Sequence, residues 1–157
     1  MSEKWCEWKE IDQPTVYCSH AVYQLRYVDA SASPCSIARF LGADPAGILY
    51  IGERASMEQA RIDIKAGIDS WNKHMAGIMI HILRRYSEAF RQRHTQSRLQ
   101  YRFEEHASKE SRKRREERLI KEYVLRFGEV PPLNSAIPNR HAAWETETCD
   151  VPDSVAT

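Results

Sequence analysis

This 157-residue chain lacks any apolar run near the ~20 residues that a membrane span requires. Its first ten residues carry acidic and aromatic side chains instead of the basic start and apolar body of a signal peptide. The four cysteines, Cys6, Cys18, Cys35 and Cys149, include no CxxC pair, so neither a zinc site nor a disulfide framework is indicated. We therefore expect a cytoplasmic protein with free thiols and no membrane association.

Charge is distributed unevenly along the chain although the formal net charge is only +1. Residues 84–126 contain 14 Lys and Arg against 7 Asp and Glu. Such a basic stretch suits attraction to a phosphate backbone, although a solvated helical face would have the same composition. Charge alone leaves both interpretations open.

The hydrophobic pattern predicts two strands followed by helices. Residues 21–28 alternate with period two and are rich in β-branched and aromatic side chains, and 47–52 form a second short apolar run. We expect these strands to pair in antiparallel fashion. Helices are predicted from Ser56 to Gly67, over 78–90 and 98–105, and over 108–127 with Gly128 as the cap. The pattern predicts an α/β domain with a small, about three-stranded, antiparallel or mixed sheet flanked by helices.

Three segments are expected along the chain. Residues 1–18 would form an N-terminal arm, residues 19–140 the folded domain, and residues 141–157 an acidic flexible tail.

Five short pieces occur in the order typical of one nuclease family. They are Ala21-Val22-Tyr23, Leu49-Tyr50-Ile51-Gly52, Arg61, Glu116-Glu117-Arg118-Leu119-Ile120-Lys121 and Pro131-Pro132-Leu133-Asn134. With this set the chain resembles the GIY-YIG nucleases over roughly residues 19–134. Two departures from the family pattern stand out. Ala21 replaces the usual first glycine, and the spacing from Gly52 to Arg61 is about one residue longer than is usual, which leaves Arg54 as a substitute for Arg61.

The resemblance implies a DNA endonuclease that depends on one divalent cation, Mg²⁺ or Mn²⁺, and it assigns five catalytic residues. These are Tyr23, Tyr50, Arg61, Glu116 and Asn134, with Glu116 as the metal ligand. In the implied scheme water attacks in line, the metal on Glu116 neutralises charge, and Arg61 supports the phosphate. The alternative is a non-catalytic nucleic-acid-binding module on the same scaffold.

The residues themselves leave several catalytic roles open. Tyr23 and Tyr50 could be core aromatics, and Gly52 a turn into the helix that leaves room for a phosphate. Glu116 shares a helix face with Leu119 and Ile120, but Glu117 is an alternative because helix phase is uncertain from sequence. Tyr23 is the preferred general base and Tyr50 the second candidate, with His20 and His74 as rivals whose ordinary pKa suits the role better.

Nucleic-acid contacts are expected mainly along the basic stretch between the catalytic pieces. The candidates are Arg54, His74, Arg84, Arg85, Arg91, Arg93, Arg98, Arg102, Arg112 and Lys113. Phosphate contacts of this kind give affinity more than sequence selectivity. DNA is the expected partner, and a homodimer stays open.

Overall fold

The computed structural model describes residues 4–138 of the chain. In chain order the elements are β1 (Lys9–Glu10), β2 (Ser19–Val28), β3 (Ile37–Arg39), β4 (Gly42–Asp44), β5 (Ile48–Ser56), α1 (Met57–Ser70), α2 (Met75–Tyr86), α3 (Glu88–Arg93), β6 (Arg98–Glu105) and α4 (Lys109–Phe127). The predicted tail, 141–157, lies outside the described residues. None of the helices formed by residues 4–138 is both long and apolar enough to cross a membrane.

The main sheet has four antiparallel strands in the order β1-β6-β2-β5, and β3 and β4 form a separate hairpin. The α/β class and the antiparallel pairing of the two tyrosine strands are confirmed. Residues 98–105 were predicted as a helix, and this is wrong: they form β6, which pairs with β2 along its whole length. Leu99, Tyr101 and Phe103 are buried at period two, which is the spacing of a strand.

Helices cover both faces of the sheet. On one face, Tyr23 and Leu25 of β2 pack with Ile64 of α1 and Ile80 of α2 in the main hydrophobic cluster. On the other face, α4 contributes Ile120, Tyr123 and Phe127 to a second cluster with Ile48 and Ile51 of β5. Because successive strand residues point to opposite faces, β2 and β5 supply side chains to both layers.

Helix boundaries follow the predicted caps at three of four places. The hydroxyls of Ser56 and Ser108 accept from backbone N–H groups at the starts of α1 and α4, and Gly128 ends α4 with φ +80°. Gly67 does not stop α1, which continues to Ser70. A Cβ at Gly67 would lie 2.8 Å from the His74 carbonyl oxygen, so this glycine permits the close approach of α2.

The N-terminal arm is bound to the domain. Its backbone pairs with β6 through Cys6 N to Phe103 O at 2.9 Å and Ile11 N to Leu99 O at 3.0 Å. The Trp8 ring lies on the α4 side of the sheet, with the Arg26 guanidinium 4.0 Å from its centre. The arm thus forms the β1 edge of the sheet.

Candidate active site

Two phenols and a glycine meet where β2 and β5 pair. Tyr23 lies opposite Gly52 and Leu25 opposite Tyr50, so both tyrosines lie on one face with ring centroids 5.9 Å apart. A Cβ at Gly52 would lie 2.5 Å from Tyr50 Cε1 and 2.8 Å from the Tyr23 hydroxyl. The interpretation of Gly52 as a turn is wrong, because β5 continues to Ser56. The glycine is needed because the two rings occupy the space above it.

His74 joins the phenols from the start of α2. It is the N-cap of that helix, and its Nδ1 accepts from the Ala76 N–H at 3.2 Å while Nε2 lies 2.8 Å from the Tyr23 hydroxyl. Because Nδ1 accepts, the proton of the neutral ring is assigned to Nε2, which donates to Tyr23. Burial and, second, the Arg54 charge lower the pKa of His74 to about 4, so the imidazole is neutral at pH 7.

The two tyrosines differ in exposure and in proton affinity. Tyr23 is 2% exposed, and burial raises its pKa well above the ordinary range. Burial also raises the pKa of Tyr50, and the Glu116 charge adds to this, but the hydrogen bond from Tyr23 acts in the opposite direction. Tyr50 is half-buried and is therefore the more exposed of the two phenols. The choice of Tyr23 or Tyr50 as general base stays a prediction.

A guanidinium lies at the edge of this site. Arg54 follows Gly52 by two residues on β5, so it lies on the same face as Tyr50. Its side chain is 44% exposed, and Nη2 donates to Asp63 Oδ2 at 2.5 Å. Asp63 also accepts from Gln59 Nε2 at 2.8 Å, which fixes the carboxylate on α1. The Arg54 charge acts on both phenols and on His74.

Arg61, the predicted phosphate ligand, is engaged elsewhere. Its Nε and Nη2 donate to the Glu58 carboxylate at 2.9 and 2.6 Å, and Nη1 donates to the Ile11 carbonyl at 2.9 Å. Glu58 also accepts from the Thr15 N–H at 3.0 Å. The pair therefore fastens the N-terminal arm to α1, and Arg61 is corrected to a structural residue. Successive residues of a helix point about 100° apart, and the sequence alone does not show which of them faces the site.

Glu116 acts on the site from α4. It is 8% exposed, and its charge raises the pKa of both Tyr50 and Tyr23. The alternative ligand, Glu117, lies 2.9 Å from Lys121 Nζ in a buried ion pair one helical turn away. This contact favours Glu116 over Glu117 as the carboxylate that belongs to the site.

Asn134 binds the backbone of β5. Its Nδ2 donates to Ile51 O at 2.8 Å, and its Oδ1 accepts from Ile51 N at 3.0 Å. The neighbouring Leu133 N donates to Leu49 O at 2.8 Å. The Asn134 amide thus completes the outer edge of the strand between Tyr50 and Gly52. It is a positioning residue, and the expectation that it joins the catalytic groups directly is corrected.

Three of the predicted nucleic-acid contacts are used inside the fold: His74, which is 8% exposed and caps α2, and the arginines Arg112 and Arg102. Arg112 is 7% exposed and binds the Glu53 carboxylate and His20 Nδ1. Arg102 lies over the rings of Trp5 and Trp8, at 4.5 and 4.7 Å from their centres. The Arg112 guanidinium is bound inside the fold and that of Arg102 is covered by tryptophans of the arm, and no local sequence pattern indicates either contact.

The remaining basic candidates lie mostly at the surface. Arg84, Arg85, Arg91, Arg93 and Arg98 are exposed, and Lys113 is half-buried. Arg84 Nη2 lies 3.4 Å from the hydroxyl of Tyr27, which is four residues from Tyr23 along β2, or about 13 Å. The arginines on α2 and α3 are therefore separated from the phenols by about the length of half the strand.

Metal-binding potential is limited in the part of the chain that the structure describes. No group of three or more His, Cys, Asp and Glu side chains there could hold an ion.

Comparisons with family models, with curated proteins and with solved structures found no match to this chain.

Proposed function

We propose that this protein is a divalent-metal-dependent DNA endonuclease that hydrolyses phosphodiester bonds. One observation supports this above all others: two phenols, a neutral imidazole and a half-exposed guanidinium lie together beside Gly52, and the charge of the buried Glu116 acts on both phenols. They come from β2, β5, α2 and α4, which are far apart in sequence. The ordered motifs that resemble the GIY-YIG nucleases agree with this chemistry.

Arg54 would bind the phosphate. Its guanidinium is half-exposed, and the Asp63 carboxylate holds one edge of it, which leaves further N–H donors. A fixed planar fork matches two phosphate oxygens and stabilises the charge that grows on them in the transition state. Arg54 thus takes the role that the resemblance assigned to Arg61.

Tyr50 would act as a phenolate that takes one proton from the attacking water and becomes the neutral phenol. Burial raises its pKa, and the Arg54 charge together with a cation at Glu116 would act against that rise. The Tyr50 ring lies 5.9 Å from that of Tyr23, whose hydroxyl accepts from His74 Nε2 at 2.8 Å. Tyr23 and His74 then act as positioning residues, because burial holds Tyr23 protonated and His74 neutral.

Glu116 suits a loosely held cation. Mg²⁺ keeps several waters and takes few protein oxygens, so one carboxylate and a substrate phosphate are a sufficient set of ligands. A cation bound there would supply positive charge at the leaving oxygen and offset the Glu116 charge that raises the pKa of Tyr50. The single-carboxylate donor set predicts weak metal binding without DNA.

Plasmid cleavage tests the proposal. Supercoiled plasmid in Mg²⁺ is expected to be nicked or linearised by the wild-type protein, and not in excess EDTA. Glu116→Gln should abolish cleavage, whereas Glu122→Gln, a half-exposed glutamate on the same helix, should retain it. Activity that survives in Glu116→Gln, or absence of cleavage by the wild-type protein in both Mg²⁺ and Mn²⁺, would contradict the proposal.

A non-catalytic nucleic-acid-binding module is the second candidate. The favouring observation is that residues 4–138 include no group of three or more His, Cys, Asp and Glu side chains that could hold a metal ion. DNA binding that is equal in wild type and Glu116→Gln, with cleavage by neither, would support this candidate.

A further inference from the structure

An exposed aromatic corner connects α1 to the candidate site. Trp71 ends α1 in the left-handed region, with φ +55° and ψ +51°, and it is 52% exposed. Lys73 is exposed and also left-handed, with φ +71°. Left-handed backbone is unfavourable for residues with a Cβ, so the fold holds two strained residues in a turn of three. We refer to Trp71, Asn72 and Lys73 as the α1–α2 corner.

The corner is rigidly attached to the site. The next residue is His74, whose Nε2 lies 2.8 Å from the Tyr23 hydroxyl and whose backbone N–H donates to Asn72 O at 2.9 Å. The helices on either side, α1 and α2, pass so close to each other that a Cβ at Gly77 would lie 2.3 Å from the Ile64 carbonyl oxygen. Trp71 and His74 are three positions apart, which limits the distance between their Cα atoms to about 11 Å.

Trp71 differs from the tryptophans of the arm. Trp5 and Trp8 are half-buried, and the guanidinium of Arg102 lies within 4.7 Å of both ring centres. The Trp71 indole contacts His81, with ring centroids 5.6 Å apart, and about half of its surface faces solvent. A large exposed aromatic next to a lysine suits a ligand that is both flat and anionic.

The surrounding charge favours nucleic acid as that ligand. Lys73 lies in the corner itself, Arg54 is half-exposed in the site, and Arg84 and Arg85 follow His81 on α2. Cations beside an exposed aromatic are the arrangement by which proteins hold single strands, with phosphates on the cations and a base on the ring. The bases inside a duplex are covered by their neighbours, so only an unpaired base presents a free face.

We propose that the α1–α2 corner binds an unpaired nucleotide next to the scissile phosphate, with the base stacked on Trp71 and a phosphate on Lys73. This rests on the proposed function, since it names the form of the nucleic acid that the site takes. The preferred substrate is then single-stranded DNA or a duplex that carries a flap or an overhang. A continuous duplex would bind through its phosphates alone.

Binding without cleavage tests the corner directly. Fluorescence anisotropy in EDTA would compare a labelled single strand, the matching duplex and the duplex with a single-stranded flap. Trp71→Ala should weaken binding of the single strand and the flap about tenfold, because base stacking is lost, and duplex binding should change less than about twofold. Trp71→Phe should recover most of the affinity. Lys73→Gln should reduce the slope of log K against log salt by about 0.7 for a single strand.

The matched control is Phe40→Ala, a 79% exposed aromatic in the β3–β4 turn beside the end of α4. It should bind all three DNAs as the wild type does. Equal single-strand affinity in Trp71→Ala and wild type overturns the inference, as does an equal loss for single strand and duplex with an unchanged thermal unfolding midpoint. Lack of binding to any of the three DNAs by the wild type overturns it as well.

The outcome for the corner is separable from that for the nuclease. Suppose that plasmid is cleaved in Mg²⁺ and that single-strand affinity is the same in wild type and Trp71→Ala. This result would contradict the role of the corner and support the proposed function. Single-strand binding that depends on Trp71, without any cleavage, would support the role of the corner and contradict the proposed nuclease activity.

Discussion

The two faces of the main sheet bury polar groups in different ways. Around the phenols, under α1 and α2, the buried groups are uncharged: the Tyr23 hydroxyl and the neutral imidazole of His74, joined at 2.8 Å. Under α4, opposite charges are buried in direct contact, as where the 2% exposed Glu104 accepts from Arg115 Nε at 2.5 Å. The groups around the phenols thus form no ion pair with each other, whereas Glu104 and Arg115 neutralise each other.

This difference separates residues that hold the fold together from candidates for chemistry. The Glu53–Arg112 pair, like Glu104–Arg115, is complete without any ligand. On the other face the hydrogen-bonded Tyr23 and His74 lie beside Tyr50 and the half-exposed Arg54. A buried ionisable group is therefore weak evidence of function until its partners are known.

The largest effect is expected on the α4 face. Glu104→Gln would leave Arg115 buried beside a neutral amide, and breaking a buried pair in this way costs about 3–5 kcal/mol. Urea unfolding followed by circular dichroism measures the loss. Glu122→Gln, which removes a half-exposed partner of Arg118, should cost no more than about 0.5 kcal/mol. A loss below about 1 kcal/mol for Glu104→Gln would show that this pair is not a structural element of the face.

The phenols should separate in cleavage rate. Tyr50→Phe is expected to lower cleavage by about 10²–10⁴-fold, because the group that takes the water's proton is lost. Tyr23→Phe should cost about tenfold, since only an orienting hydrogen bond disappears. Single-turnover cleavage of a labelled oligonucleotide measures both. The reverse order would return the base to Tyr23.

His74 should make stability depend on pH. Its pKa is about 4 in the folded protein against an ordinary value of 6.5, because of burial and then the Arg54 charge. Between these values the unfolded chain binds the extra proton, so the free energy of unfolding should fall as pH decreases from about 6.5 to 4. The loss is at most about 3 kcal/mol.

Urea midpoints at pH 7 and pH 4.5 test this for wild type and His74→Asn, which keeps a helix-capping side chain. The wild type should lose more stability than the variant. An equal pH dependence in the two proteins would mean that the buried imidazole is not the titrating group.

The two arginines give the smallest contrast. Arg54→Lys should lower cleavage about tenfold with an unchanged unfolding midpoint, because lysine cannot reproduce a planar fork on phosphate. Arg61→Lys should lower stability by about 1 kcal/mol and leave cleavage unchanged, because it loosens the contact between Ile11 of the arm and α1. Loss of cleavage in Arg61→Lys alone would restore the role that the motif suggested.

Much of the local structure follows from the sequence. The alternation around Tyr23, the serine caps and Gly128 each act over a few residues, so their effects are visible in a short window. The helix prediction for residues 98–105 overlooked that Leu99, Tyr101 and Phe103 alternate with Gln100, Arg102 and Glu104, which is the period of a strand. Their face is covered by the arm and by α4, and such burial is a long-range property.

The sequence by itself determined the two tyrosine strands, the class of fold and the inward face of Glu116, because these follow from periodicity and helix geometry. Only the tertiary structure decided that Arg54 and not Arg61 reaches the phenols, that His74 donates to Tyr23, and that Asn134 pairs with β5. Each of these depends on the register of strands and on the phase and crossing of helices. Contacts such as Tyr23–His74 and Ile51–Asn134, which are 51 and 83 positions apart, set those quantities, and no local pattern records them.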